Sequence, residues 1–280
     1  MCMHRHFGKS FIVIVIFFAA STLDASNDQV AACKKSLSSV QNPSFTKALE
    51  LLNDQQEEKG FCEFFNALKD APRTKNRSMS QKEETLFQEI LPLYLVGDCE
   101  EKVLQHLQKT PDNPALLFFL ASCYANKREF EPFFYLFYSA YLVNPDCYLS
   151  FKMQGTLATL IAERAKTPEE KAAWKARAMD SFKNAFNEYE ADLQLHKMMI
   201  YTANEGEKRE VIQLIIGKII EKNVQICRTE LPFYVTHALR VQDSESAQRL
   251  IDKAKSWYEY SRIIDQLQQQ VEESKHGRKP

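Results

Sequence analysis

Apolar residues along this chain recur at steps of three and four, the period of helices that bury one face. The densest stretch runs from Pro114 to Pro145. Leu117, Leu120, Ala121 and Tyr124 fall on one face of a first helix, and Phe137 and Ala140 lie in a second. Ala121 and Ala140 are small where two closely crossing helices leave little room for a side chain. The pattern also has a longer period. Pro111 and Pro145 stand 34 residues apart, and so do Ala121 and Gly155.

The large-x-x-Leu-small-x-x-Tyr spacing of Leu117, Leu120, Ala121 and Tyr124, followed by Phe137, Ala140 and Pro145, resembles a tetratricopeptide repeat, a 34-residue helix-turn-helix unit. The likeness covers residues 114–190 best. Phe151, Gly155 and Ala158 repeat the first-helix pattern there, and Ala178, Phe182 and Ala185 repeat the second. The resemblance implies an all-α fold, a right-handed superhelical stack of antiparallel helix hairpins of the tetratricopeptide-like α-solenoid type. It also implies a scaffold that binds a protein or peptide in the concave groove lined by first helices. The positions matching that groove are Phe118, Phe119, Ser122 and Asn126, then Lys152, Met153, Thr156 and Thr159. The subclass that clamps acidic chaperone C-termini wants Lys and Asn where Phe118 and Ser122 stand, which argues against a cytosolic chaperone adaptor.

The helical period continues on both sides. A short helix is predicted from Asn27 to about Val40. Asn42-Pro43-Ser44 gives a cap and a proline start to a helix carrying Phe45, Ala48, Leu51 and Leu52. Gly60 is expected to end it, and Phe61, Phe64, Phe65 and Leu68 then form the second arm of a hairpin that packs on the 114–147 unit. Beyond a polar, basic stretch come Leu86, Ile90, Leu93 and Tyr94, with a bend or break at Pro92. A turn at Gly97-Asp98 and a short helix with Val103, Leu104 and Leu107 follow. The segment from Phe130 to Leu142 is apolar nearly all round. It fits a helix touched by neighbouring hairpins on most sides, or one that offers part of its surface to a partner.

Further on, Thr167-Pro168-Glu169-Glu170 is a capping box that opens a long helix to about residue 189. Leu195, Met198, Met199 and Thr202 pair across Glu205-Gly206-Glu207 with Val211, Ile212, Leu214, Ile215 and Ile219. Residues 230–241 and 244–256 make another hairpin. Trp257, Tyr260, Ile264, Leu267 and Val271 continue the period as a terminal capping helix, wet on its outer side.

The N-terminus changes the picture of where the protein works. His4, Arg5, His6 and Lys9 precede the apolar run from Phe11 to Ala20, and small residues follow, the order of a secretory signal peptide cleaved near residues 21–25. Val30-Ala31-Ala32-Cys33 has the look of a lipobox, but Asp24, Asn27, Asp28 and Gln29 separate it from the apolar run, so lipidation is not expected. The organisation is then a signal peptide at 1–25, an N-terminal helical hairpin region at 26–71 and a linker at 72–81. TPR-like repeats at 82–257, a capping helix at 258–272 and a disordered tail at 273–280 follow. The expected location is the periplasm of a Gram-negative bacterium, or otherwise the outside of the cell. Asn76-Arg77-Ser78 in the linker is a glycosylation sequon if the source is eukaryotic.

Composition narrows the function. The 280 residues carry a net charge of −1, which gives no global cationic field for nucleic acid, and only 7 glycines, which favours helices. Cys33, Cys62, Cys99, Cys123, Cys147 and Cys227 remain after the signal peptide; disulfides among them stay open, and no Cys-x-x-Cys supports a zinc or redox motif. The histidines are scattered, so no metal and no cofactor are expected. No Gly-x-Ser-x-Gly elbow is present, Gly8-Lys9-Ser10 lacks the upstream glycine of a phosphate loop, and Glu83-Glu84, Glu100-Glu101 and Glu169-Glu170 read as solvated helix faces. The reading is an exported, non-catalytic scaffold for protein or peptide partners. The rival reading is a subunit or chaperone of an envelope or secretion assembly, with association to a membrane complex.

Overall fold

Asn42 shows how the chain turns sequence into helix. Its Oδ1 accepts from the Phe45 backbone N–H at 2.9 Å, and Pro43 occupies the first helical position, where no N–H is missed. Asn113 does the same for the next apolar helix, accepting from Leu116 N at 3.2 Å ahead of Pro114. Thr167 Oγ1 accepts from Glu170 N at 3.1 Å, and Asp192 Oδ1 accepts from Gln194 N and Leu195 N. The computed structural model describes residues 25–71, 81–95, 100–258 and 261–276. The expected signal peptide up to residue 24, the linker with its sequon at 72–80, the Gly97-Asp98 turn, Cys99, Tyr260 and the last four residues lie outside the described residues.

The described chain is all-α. After α1 (25–37) come α2 (Pro43–Asn53), α3 (Glu57–Asp70), α4 (Gln81–Leu95), α5 (Glu100–Leu107), α6 (Pro114–Lys127), α7 (Phe130–Val143) and α8 (Tyr148–Arg164). Then follow α9 (Pro168–Glu188), α10 (Leu193–Thr202), α11 (Lys208–Glu221), α12 (Leu231–Arg240), α13 (Ser244–Trp257) and α14 (Arg262–Lys275). The chain divides into two units, Met1–Lys171 and Ala172–Pro280.

In the first unit α2 packs along α3, and α6 along α7, as antiparallel hairpins. The α2/α3 hairpin docks on α7 and α8, far along the chain, through ring-to-ring contacts. Phe64 stacks on Phe134 at 3.9 Å between centroids, Phe45 stacks on Tyr138 at 4.4 Å, and Phe61 meets Phe134 edge-on. This accounts for the all-round apolar character of α7: Phe133, Phe134, Leu136, Phe137, Tyr138 and Ala140 are all buried, partly under a hairpin that precedes them by some sixty residues. The helix α1 folds back on the same unit. Ser26 bonds the Tyr124 hydroxyl, Gln29 Nε2 donates to Pro111 O at 2.7 Å, and Cys33 is buried, which pushes its thiol above the ordinary range.

In the second unit neighbouring helices from α10 to α14 contact in turn, and α11 with α13 and α12 with α14 contact across one position. That is the contact pattern of stacked hairpins.

The structure corrects several boundaries. Gly60 does not end α2. It lies within α3, and a methyl group there would stand 3.2 Å from the Ala48 carbonyl oxygen, so this glycine marks where the two helices cross. The turn itself is made at Gln55, at φ 59°. Pro92 does not break α4, which runs on to Leu95; without an N–H it forgoes the one bond that this position would make to the Gln88 carbonyl. Trp257 belongs to the end of α13, and α14 starts afresh at Arg262 and continues to Lys275, three residues beyond the expected capping helix.

Candidate protein-binding surface

Most of the positions expected to line a groove are buried. Phe118 and Phe119 are fully buried: Phe118 meets Phe137 of α7 edge-on at 5.6 Å, and Phe119 stacks on Phe87 of α4 at 5.8 Å. Ser122, Lys152 and Met153 are buried as well, with the Lys152 ammonium over the Tyr148 ring at 5.9 Å. Thr156 and Thr159 are half-buried, and their hydroxyls donate to Lys152 O and Gly155 O within their own helix. Asn126 alone of the eight is exposed. The physical reason is that α6 is packed by α4, α5, α7 and α8 at once, which buries most of its surface. Five of the eight, Phe118, Phe119, Ser122, Lys152 and Met153, thus belong to the core, while Thr156, Thr159 and Asn126 reach solvent in increasing measure.

The second unit presents a surface that the sequence pattern passed over. Tyr201, near the end of α10, is 65% exposed, the most exposed large apolar side chain of the described residues. Its ring meets Phe233 and His237 of α12, each at 5.9 Å, and Phe233 lies 4.5 Å from His237. Lys197, one helical turn before Tyr201, sets its ammonium 5.5 Å over the Phe233 ring and pairs with Glu230 at 2.7 Å. Burial first, then the charges of Arg240 and Lys208, hold the His237 imidazole below the ordinary histidine range, so it is neutral at pH 7.

Each helix contributes residues four apart, Lys197 and Tyr201 on α10 and Phe233 and His237 on α12, so both pairs project from one face. That i,i+4 spacing was present in the sequence, but it lies off the Leu195–Met199–Thr202 stripe that the period picks out. The inner side of the same two helices is mostly apolar, with one polar pair set in it. His196 Nδ1 lies 2.9 Å from the Tyr234 hydroxyl, and its Nε2 lies 2.7 Å from the Glu190 carbonyl oxygen.

This arrangement can hold an apolar or aromatic side chain against three rings with cationic groups at the edge. It has no nucleophile paired with a base. Among the described residues no group of three His, Cys, Asp or Glu side chains could hold a metal ion, and no helix is long and apolar enough to cross a membrane.

No family model matches the chain, and no curated protein matches it. Among solved structures it is similar to a thermophilic TPR protein of Thermus thermophilus, at 10% sequence identity and a TM-score of 0.40, over 83% of this chain and 97% of that one.

Proposed function

We propose that this protein is an exported, non-catalytic helical-hairpin scaffold that binds a protein or peptide partner through the outer face of α10 and α12. The observation that carries the reading is Tyr201, 65% exposed yet held against Phe233 and His237. A tyrosine ring left in water on a rigid support brings contact area with little loss of freedom on binding, and aromatic residues dominate the energetics of protein interfaces. The basic, apolar and small-residue order of the N-terminus supports export, and the periplasm of a Gram-negative bacterium is the location it fits.

The test is affinity capture from an envelope fraction with the full chain and with Tyr201→Ala and Phe233→Ala, each checked for its melting temperature. The reading expects variants that melt like the parent and lose the captured protein about tenfold or more. Equal capture by all three chains overturns it.

A further inference from the structure

His196 is the one histidine that is fully buried among the described residues, and both its ring nitrogens are committed. The Glu190 carbonyl oxygen can only accept, so Nε2 carries the hydrogen. Nδ1 therefore offers its lone pair to the Tyr234 hydroxyl, which donates. The bond ties α10 to α12. We propose that the His196–Tyr234 contact is an acid-sensitive latch: proton uptake at Nδ1 reverses the bond between α10 and α12, takes from the Tyr234 O–H the acceptor it had, leaves a charge in the core, and so opens the hairpins of the second unit.

The groups around the imidazole set the direction. From its own helix, Asp192 is buried at the N-cap of α10, where it accepts from the Gln194 and Leu195 backbone. From α9, the Phe186 ring lies edge-on at 5.4 Å. From α12 come Tyr234, fully buried, and Glu230 one turn before it, held by Lys197. His237 and Arg240 stand farther along α12 on its outer side. Burial outweighs the pull of the Glu190 carbonyl and the Asp192 charge, and the imidazole is held down at about 4. The Tyr234 hydroxyl is pushed far above the usual phenol range by burial and the Glu230 and Asp192 charges, so it remains a donor throughout. A protonated Nδ1 would have to donate to the Tyr234 oxygen, which turns the hydroxyl hydrogen away from the acceptor it now has and leaves a buried imidazolium.

The sign follows from proton counting. Above pH 6.5 neither the closed nor the opened state protonates His196, and the latch is at full strength. As pH falls from 6.5 toward 4 the opened state takes a proton that the closed state refuses, and closure weakens; below about 4 both bind it and the loss levels off. Across that window the opening equilibrium rises about a hundredfold.

Hydrogen exchange by mass spectrometry on the full chain, corrected for the intrinsic pH dependence of exchange, tests this. The expected result is a fall in protection on the order of a hundredfold at α10 and α12 between pH 8 and 4, with α6 and α7 nearly unchanged. In His196→Gln, which keeps a donor and an acceptor but does not titrate, the selective fall disappears. Protection lost in step at α6, α7, α10 and α12, no loss at all, or an undiminished selective fall in His196→Gln overturns the latch. Should that variant not fold, the imidazole resonances of the parent decide. His196 must stay neutral until α10 and α12 open, and an imidazole that protonates at its ordinary value with the hairpins closed refutes the proposal.

Discussion

The Asn42 side-chain amide donates to the Tyr138 hydroxyl at 2.7 Å, while the same nitrogen reaches the Ala67 carbonyl at 3.1 Å. One side chain thus caps α2, closes the end of α3 and fixes both to α7. Asn42→Ala removes a cap worth about 1 kcal/mol and leaves two buried polar groups unpaired, so it should cost about 2–4 kcal/mol in urea unfolding. Tyr138→Phe should cost only about 1 kcal/mol, because Asn42 keeps its other partners. In the double variant the two losses should not add, since both delete the same bond. Full additivity would show that the 2.7 Å contact contributes nothing of its own.

Gly60→Ala tests the crossing of α2 and α3. In an open helix the added methyl would stabilise by up to about 1 kcal/mol. Here it would press on the Ala48 carbonyl and on Leu52, each at 3.2 Å, and the carbonyl belongs to a helix backbone that cannot step aside. The expected outcome is a lower melting temperature and a loss of about 1–2 kcal/mol.

Among the described residues four other than glycine take the left-handed conformation, Gln55, Arg128, Asn223 and Gln242. In each case the next residue's N–H turns back to a carbonyl five positions earlier, Gln56 to Leu51, Glu129 to Tyr124, Val224 to Ile219 and Asp243 to Ala238. Gln242→Gly and Arg128→Gly should therefore each stabilise by about 1 kcal/mol, by relieving the clash of the Cβ atom with its own backbone. Thermal melts of the two single variants and the pair check this, and the pair should show the sum.

Phe119→Ala and Tyr201→Ala should behave oppositely. The first empties a fully buried site beneath Phe87 and should cost about 3–5 kcal/mol. The second removes a ring that is 65% exposed and should change stability by no more than about 0.5 kcal/mol. Equilibrium denaturation of both decides whether core and surface are assigned correctly.

Helices with a proline or asparagine start and an apolar stripe were legible, because local rules and tertiary packing agree at Asn42-Pro43, Asn113-Pro114 and Thr167-Pro168. The turns were less so. Reading glycine as punctuation pointed to Gly60, whereas the chain turns at Gln55, a residue type with no turn signature. Trp257 and Ile264 fit one continuous helical period, so the break between α13 and α14 was hidden by spacing that happens to persist across it. The burial of Phe118 and Phe119 was hidden for a different reason. A first-helix pattern gives Phe118 and Phe119 an open face only when the neighbours are the adjacent repeats, and nothing periodic in the sequence announces how tightly α4, α5 and α8 close around α6. The Tyr201 surface needed the third dimension, since it is assembled from α10 and α12 across the whole of α11.

The docking of α2/α3 on α7 and α8 has a consequence for how the chain is born. A stack in which each hairpin touches only its neighbours can fold from the first turn onward as it leaves the ribosome and can fray from its end. Here the first hairpin's rings, Phe45, Phe61 and Phe64, find their partners on α7 only after Val143 has been made, about seventy residues past the end of α3. At roughly 5–20 residues per second that is a wait of about 4–15 s with an uncovered aromatic face. The nascent hairpin is thus a client for any holding factor at the exit tunnel, and once the circle closes, the amino end of the unit is locked by its middle and comes apart with it as one block.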